Sequence, residues 1–305
     1  MKQTRKGILS ILLLAFLTVN VACYAQKSNV SDSDSKVEKQ DKKKKKKKYK
    51  LPEIDLSHWS VTTPELNDKG GAMNIEPPEI LNYATDERLI PYMYNDSTDG
   101  SLVFYSFPSK ATTANTKYTR SELREQMEPG NNDVNWTFAQ GGTMKGKLAI
   151  EEITEDSEGK YHKVIIMQIH GRLTDEQRDL IGQKDNNAPP ILKIYWQDGK
   201  VRVKTKVLKN LSASDNQLLH EDAWDDDDGF NFEQEVGFRK FTLEVKVSEG
   251  KMVVVLNGNE YKVYEDIHMR RWGVFENYFK AGNYFQSRDK DAFAKVKYYE
   301  LEVSH

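Results

Sequence analysis

Three short segments carry residue types that could bind an anion and move protons. In Tyr118-Thr119-Arg120-Ser121-Glu122-Leu123-Arg124, an extended chain puts Tyr118, Arg120, Glu122 and Arg124 on one face. In Val164-Ile165-Ile166-Met167-Gln168-Ile169-His170, alternation assigns Ile165, Met167 and Ile169 to a core face and turns Gln168 and His170 the other way. In Tyr278-Phe279-Lys280-Ala281-Gly282-Asn283-Tyr284-Phe285-Gln286, the even positions are Tyr278, Lys280, Tyr284 and Gln286, and Gly282 on that face would leave room for a close ligand. Cations suit carboxylates, aromatic rings suit sugar rings, and imidazole and phenol can move protons. Each segment also has a purely structural reading: an ion-pair ladder, a hydrogen-bonded surface pair, and a wet sheet face.

The elements that must position these groups are strands. Ser101–Phe107, Thr143–Ile153, Lys163–His170, Ile191–Gln197, Val201–Val207, Phe241–Val247 and Met252–Leu256 are short apolar or alternating runs. Asp198-Gly199, Glu249-Gly250 and Asn257-Gly258 are turn signals between several of them. Only Thr174–Ile181 reads as helical, with Thr174 and Gln177 spaced as a capping box. There is no internal repeat and no Gly-rich phosphate loop. The pattern predicts an all-β fold, an antiparallel β-sandwich or jelly roll.

Composition divides the 305 residues into three parts. Residues 1–25 read as a secretory signal peptide: Lys2, Arg5 and Lys6, then the apolar Ile8–Val19, then Ala25 as a cleavage point. The single cysteine, Cys23, lies inside it and is a candidate lipid attachment site after Val21-Ala22, although Asn20 departs from that pattern. The mature chain therefore has no disulfide, thiol nucleophile or Cys-based metal site. Residues 26–50 are Lys-, Ser- and Asp-rich, with an unbroken Lys42–Lys48 run, and read as a disordered solvated linker, with a polyanion or membrane-surface tether as the rival reading. Residues 51–305 carry the strand pattern and all three blocks and read as one globular domain. The whole chain has a net charge of −2, but residues 1–50 carry +10 and residues 51–305 carry −12. An acidic domain repels a polyanion at long range, so a polyanion would need a locally basic groove. Asp225–Asp228 lacks the ligand spacing of an EF-hand and reads as a solvated loop at a groove edge.

Arg120-Ser121-Glu122-Leu123-Arg124, Gln168-Ile169-His170 and Tyr278–Gln286 resemble, in order, the three signature blocks of the alginate lyases of polysaccharide lyase family 7. Leu56-Ser57-His58-Trp59 to Pro64 is similar to the start of that catalytic domain, and the resemblance spans roughly residues 51–305. It implies a β-jelly roll with a concave substrate groove. It also implies β-elimination: Arg120, Gln168 and His170 neutralise the uronate carboxylate as the C5 proton leaves, and Tyr284 donates a proton to the departing O4. Tyr284 acting as base would need cations such as Lys280 or Arg124 beside it. A syn elimination could use Tyr284 alone, whereas an anti elimination suits His170 as base and Tyr284 as acid. Glu122, Arg124, Tyr278, Lys280 and Gln286 are the implied substrate contacts, with no metal and no cofactor. Ile169, in the position where relatives carry Ile or Val, implies a preference for guluronate-containing blocks.

The expected partner is alginate or a related anionic polysaccharide, with no nucleic acid. The protein is expected to be a secreted monomer that meets a membrane only through a lipid on Cys23, at the bacterial outer membrane. Three rival readings stand beside this. A non-catalytic jelly-roll lectin would not need Gln168, His170 and Tyr284 together. A glycoside hydrolase needs two opposed carboxylates, and the blocks supply only Glu122. A lyase acting on another polyuronate such as glucuronan shares most of the chemistry.

Overall fold

The structure, a computed structural model, describes residues 51–113 and 116–305. The expectations for the signal segment, Cys23 and the Lys42–Lys48 run lie outside the described residues. Two sheets pack face to face. One has eight strands, running Glu260–Tyr264, Lys251–Leu256, Phe241–Ser248, Gly142–Ile153, Ala294–Ser304, Ser101–Ser106 and Met93–Asp96, with Glu53–Ile54 joined in parallel to Ala294–Ser304. The other has ten. Its path is Trp224–Asp226, Lys200–Leu208, Asn187–Gln197, Val164–Arg172, Glu276–Phe285, Arg120–Glu125, Trp59–Leu66 and Ala72–Ile75. Phe230–Glu235 and Trp136–Thr137 pair beside this path. All its pairings are antiparallel.

The strand runs read from alternation are all present, with ends shifted by a few residues. The helix Asp175–Ile181 has the expected Thr174–Gln177 capping box and ends at Gly182 in the left-handed region, φ 67°. Two short helices, Asp215–Leu218 and Ile267–Arg271, escaped the sequence reading because one turn carries no helical period.

Inward residues of both sheets make one core, including Leu123, Met167, Ile169, Phe279 and Phe285 from the ten-stranded sheet and Phe104, Met144, Leu148, Val245 and Tyr298 from the other. Gly146 lets the sheets close locally: a Cβ there would lie 2.5 Å from Met167 Cε.

The ten-stranded sheet is irregular where it matters. Met167 pairs with Ile194 and Ile165 with Tyr195, so Ile166 is an extra residue against Asn187–Gln197. On the other side Met167 pairs with Ala281 and Ile165 with Tyr284, so Gly282 and Asn283 both fall opposite Ile166. The bulge corrects one expectation. Ile166 and Met167 both join the core, and Ile165 turns to the outer face.

Gly282 corrects another. Its φ is +136°, and a Cβ would lie 2.7 Å from Ser121 O and 3.0 Å from Glu122 Cα. Glycine is required by the close approach of the neighbouring strand, and the space it leaves faces backbone rather than a ligand.

Candidate active site

A cleft of about 780 Å³ lies on the outer face of the ten-stranded sheet. Strand register brings the three sequence blocks together there. Arg120–Glu125 and Val164–Arg172 flank Glu276–Phe285, so Tyr284 pairs with Arg120, Lys280 with both Arg124 and Gln168, and Tyr278 with His170. Arg120, Arg124, Gln168, His170, Tyr278, Lys280, Tyr284 and Gln286 all line the cleft.

Glu122 does not. The expectation that it contacts substrate is corrected by its position beneath the floor, with no exposed surface. It accepts from Arg120 Nη1 at 3.1 Å and Lys280 Nζ at 2.5 Å through Oε2, and from Gln168 Nε2 at 2.5 Å through Oε1. A carboxylate can only accept, so this contact fixes which way the Gln168 amide points. The other amide hydrogen and Oε1 of Gln168 remain for a ligand. Burial opposes the Glu122 charge, but Lys280 and Arg120 outweigh it and hold its carboxyl below the ordinary glutamate value. One carboxylate beneath two cations leaves one positive charge in surplus.

Arg124 adds a second. Its guanidinium donates to Glu125 O at 2.6 Å, Asn132 O at 2.9 Å and Asn135 Oδ1 at 3.0 Å, all uncharged acceptors. It also lies 4.2 Å over the Tyr278 ring. The locally basic groove that the acidic domain requires is therefore present. Arg120 Nη2 is buried and makes no hydrogen bond with the described residues. An orphaned donor of this kind costs about 1–3 kcal/mol until a ligand or water takes it.

His170 stacks on Tyr278, centroids 5.3 Å apart at 15°. Its Nδ1 lies 2.9 Å from Gly171 O. A carbonyl can only accept, so Nδ1 carries the proton and a neutral ring leaves the Nε2 lone pair free. Burial, with Lys280 and Arg120 nearby, lowers the His170 pKa to about 3, so the resting ring is neutral. Burial lowers Lys280 to about 8.

The Tyr284 ring lies under the Arg120 guanidinium, 3.8 Å from Cζ, with Tyr118 edge-on at 6.5 Å. Burial raises the Tyr284 pKa and outweighs Arg120, so the resting group is a phenol. The neighbouring cation is Arg120, where the sequence pointed to Lys280 or Arg124.

The cleft also holds residues that the sequence reading missed. Lys193 pairs in register with Gln168, Tyr195 with Ile165, and Arg172 flanks His170. Alternation shows that Lys193 and Tyr195 lie on a strand, but only pairing shows that they join this floor. Lys193 and Lys206 hold Asp226 at 2.7 and 2.9 Å, and Asp227 accepts from Thr205 N and Oγ1, both at 3.0 Å. Asp225 and Asp226 are thus a sheet edge where a solvated loop was expected, and Asp227 and Asp228 form the loop that follows it.

A two-sheet β-sandwich with a basic, aromatic cleft across one sheet is the architecture of a polysaccharide-acting jelly roll. A family model for alginate lyase matches residues 54–305, and the chain belongs to that family. It is a polysaccharide lyase with the β-jelly-roll fold.

An alginate lyase of Klebsiella pneumoniae is 24% identical over 298 residues, covering 83% of this chain and 90% of that one. The family 7 alginate lyase A1-II′, solved as a double variant in complex with substrate GGMG, is 30% identical. It aligns over 83% of this chain and 94% of its own at a TM-score of 0.65. An alginate lyase from Pseudomonas aeruginosa shares the fold at a TM-score of 0.60 and 21% identity, over 83% of this chain and all of its own.

Proposed function

We propose that this lyase cleaves the 1,4-linked uronate chain of alginate by β-elimination, leaving an unsaturated uronate at the new non-reducing end. One observation supports this above the others: a neutral His170 with its Nε2 free and a protonated Tyr284 line the same cleft, over a floor with surplus positive charge. These are the resting states of a base and an acid.

Removing the C5 proton builds an enolate-like dianion on the carboxylate. Arg120 and the free amide hydrogen of Gln168 stabilise it, and the carboxylate restores basicity to His170 as it binds. The proton leaves C5 for His170 Nε2, the C4–O bond breaks as C4=C5 forms, and Tyr284 protonates the departing O4. Arg124, Tyr278, Lys280 and Gln286 hold neighbouring carboxylates and sugar faces.

This division of labour suits guluronate, in which the C5 proton and O4 lie on opposite faces of the ring. The related A1-II′ was captured with substrate GGMG and with product GGG. Ile169 packs in the core behind Gln168 and His170, so its size acts on the site only by shifting the strand. Export through the signal segment, with or without a lipid on Cys23, would place the enzyme where polysaccharide is met.

The test is incubation with polyguluronate, mixed alginate and polymannuronate in chelator, following ultraviolet absorbance of the new double bond. Faster initial rates on guluronate-containing blocks are expected. A clear polymannuronate preference overturns the specificity, and no absorbance on any block overturns the reaction.

A further inference from the structure

Beside the cleft lies a second depression of about 680 Å³. Three cations line it, Lys110, Lys117 and Arg288, with the hydroxyl residues Ser109, Thr112 and Ser287 between them. No carboxylate is among its described lining residues, and none of the three cations makes an ion pair with a described residue. In a domain with a net charge of −12, three uncompensated cations around one hollow stand out. Asp289, next in the chain after Arg288, lies against His162 at 3.5 Å. The backbone is held from below: Ser109 Oγ donates to Pro64 O at 2.8 Å, and Ser287 Oγ receives the Asp289 N–H at 3.0 Å.

The two depressions adjoin. Lys117 lines both, and Gln286 of the cleft is followed directly by Ser287 and Arg288 of the hollow. We propose that this hollow is an outlying anion subsite that captures carboxylates of a long polyuronate where the chain leaves the cleft beyond Tyr284 and Gln286. This rests on the proposed function and extends it to polymer length. A polyuronate carries one carboxylate per sugar, so a chain long enough to pass Gln286 must present further charges there. Exposed cations hold such charges weakly and in a salt-dependent way, which suits a strand that must slide or leave after cleavage.

Steady-state kinetics of Lys110→Glu/Arg288→Glu, on long polyguluronate and on oligouronates too short to reach the hollow, test the subsite. Both residues are exposed, so the fold should persist, and Lys110→Gln/Arg288→Gln gives a milder check. The expected result is a polymer KM raised roughly tenfold at low salt, kcat unchanged, short-oligomer KM within about twofold, and the gap closing at high salt. An unchanged polymer KM, or equal shifts on long and short substrates, overturns the subsite. If wild-type protein cleaves no polyuronate, the proposed reaction fails instead. Calorimetric binding of polyguluronate to wild type and double variant then tests the hollow directly, and equal Kd values overturn it.

Discussion

The Tyr298 hydroxyl, rising from the opposite sheet, donates to the Ile166 carbonyl at 2.5 Å, at the residue that bulges out of the Gln168–His170 strand. The same oxygen accepts the Gly282 N–H at 3.3 Å. One buried phenol therefore ties together the two strands that carry Gln168 and Tyr284. Tyr298→Phe removes both bonds while keeping the ring. We expect a loss of about 1–3 kcal/mol in stability. We also expect a fall in kcat larger than any rise in KM, because the altered geometry is felt by proton transfer. Chemical denaturation together with kinetics on polyguluronate checks this, and unchanged kcat would remove Tyr298 from any positioning role.

Tyr284→Phe keeps the ring under Arg120 and removes only the transferable proton. Turnover should fall by roughly 100- to 10,000-fold while polymer binding is largely retained. Single-turnover rates and a binding isotherm separate the two. Retention of most activity would contradict the acid role.

The buried cation Lys280 sets an alkaline limit. Its proton is held only up to about pH 8, and above that the floor loses a positive charge and Glu122 loses a partner. The kcat/KM for polymer should therefore decline as pH rises through about 8, before Tyr284 ionises. Lys280→Arg, which stays charged, should move that limb to higher pH. The acid side is expected to be flat through the ordinary histidine range, because His170 stays neutral down to about pH 3. A free-enzyme acid limb near 6.5 would show that His170 is not desolvated as described.

A second histidine gives the opposite sign. His305 Nε2 lies 2.6 Å from Glu125 Oε1, and its Nδ1 lies 3.0 Å from Gly141 O. Glu125 Oε2 accepts in turn from Trp136 Nε1 at 3.0 Å and Phe279 N at 2.8 Å, so every partner of the pair demands a charged imidazolium facing a carboxylate. Burial opposes the charge, but Glu125 outweighs it and raises the His305 pKa. The stabilisation is fully present below the ordinary histidine value and is lost as pH rises through the raised one. Thermal stability should drop on alkalinisation, and His305→Ala should be less stable at pH 6 with a flatter pH dependence. Parallel curves for the two proteins would count against the ion pair.

Much of the cleft was legible in the linear chain because strand alternation is local. The side-chain period of two places Tyr278, Lys280, Tyr284 and Gln286 together without reference to any other strand, and the cleft contains all four. The same reasoning failed at Ile165, where the bulge changes the face, and at Gly282, where the need for glycine comes from Ser121 and Glu122 on the next strand. It failed at Glu122 for a related reason. Alternation put that carboxylate on the same face as Arg120 and Arg124, but depth depends on what covers it, and Arg120, Gln168 and Lys280 close over it.

By itself the sequence determined the strand runs, the capped helix that starts at Thr174, and the residue types of the three blocks, all of which depend on neighbours a few positions apart. Tertiary structure decided which groups meet. Arg120, Gln168 and Lys280 are separated by more than a hundred residues from first to last, yet they share one buried carboxylate because three strands pair in a particular register. Tertiary structure also decided the charge states, because burial keeps His170 neutral and Tyr284 protonated, and burial is a property of the packed sheets that no local pattern contains.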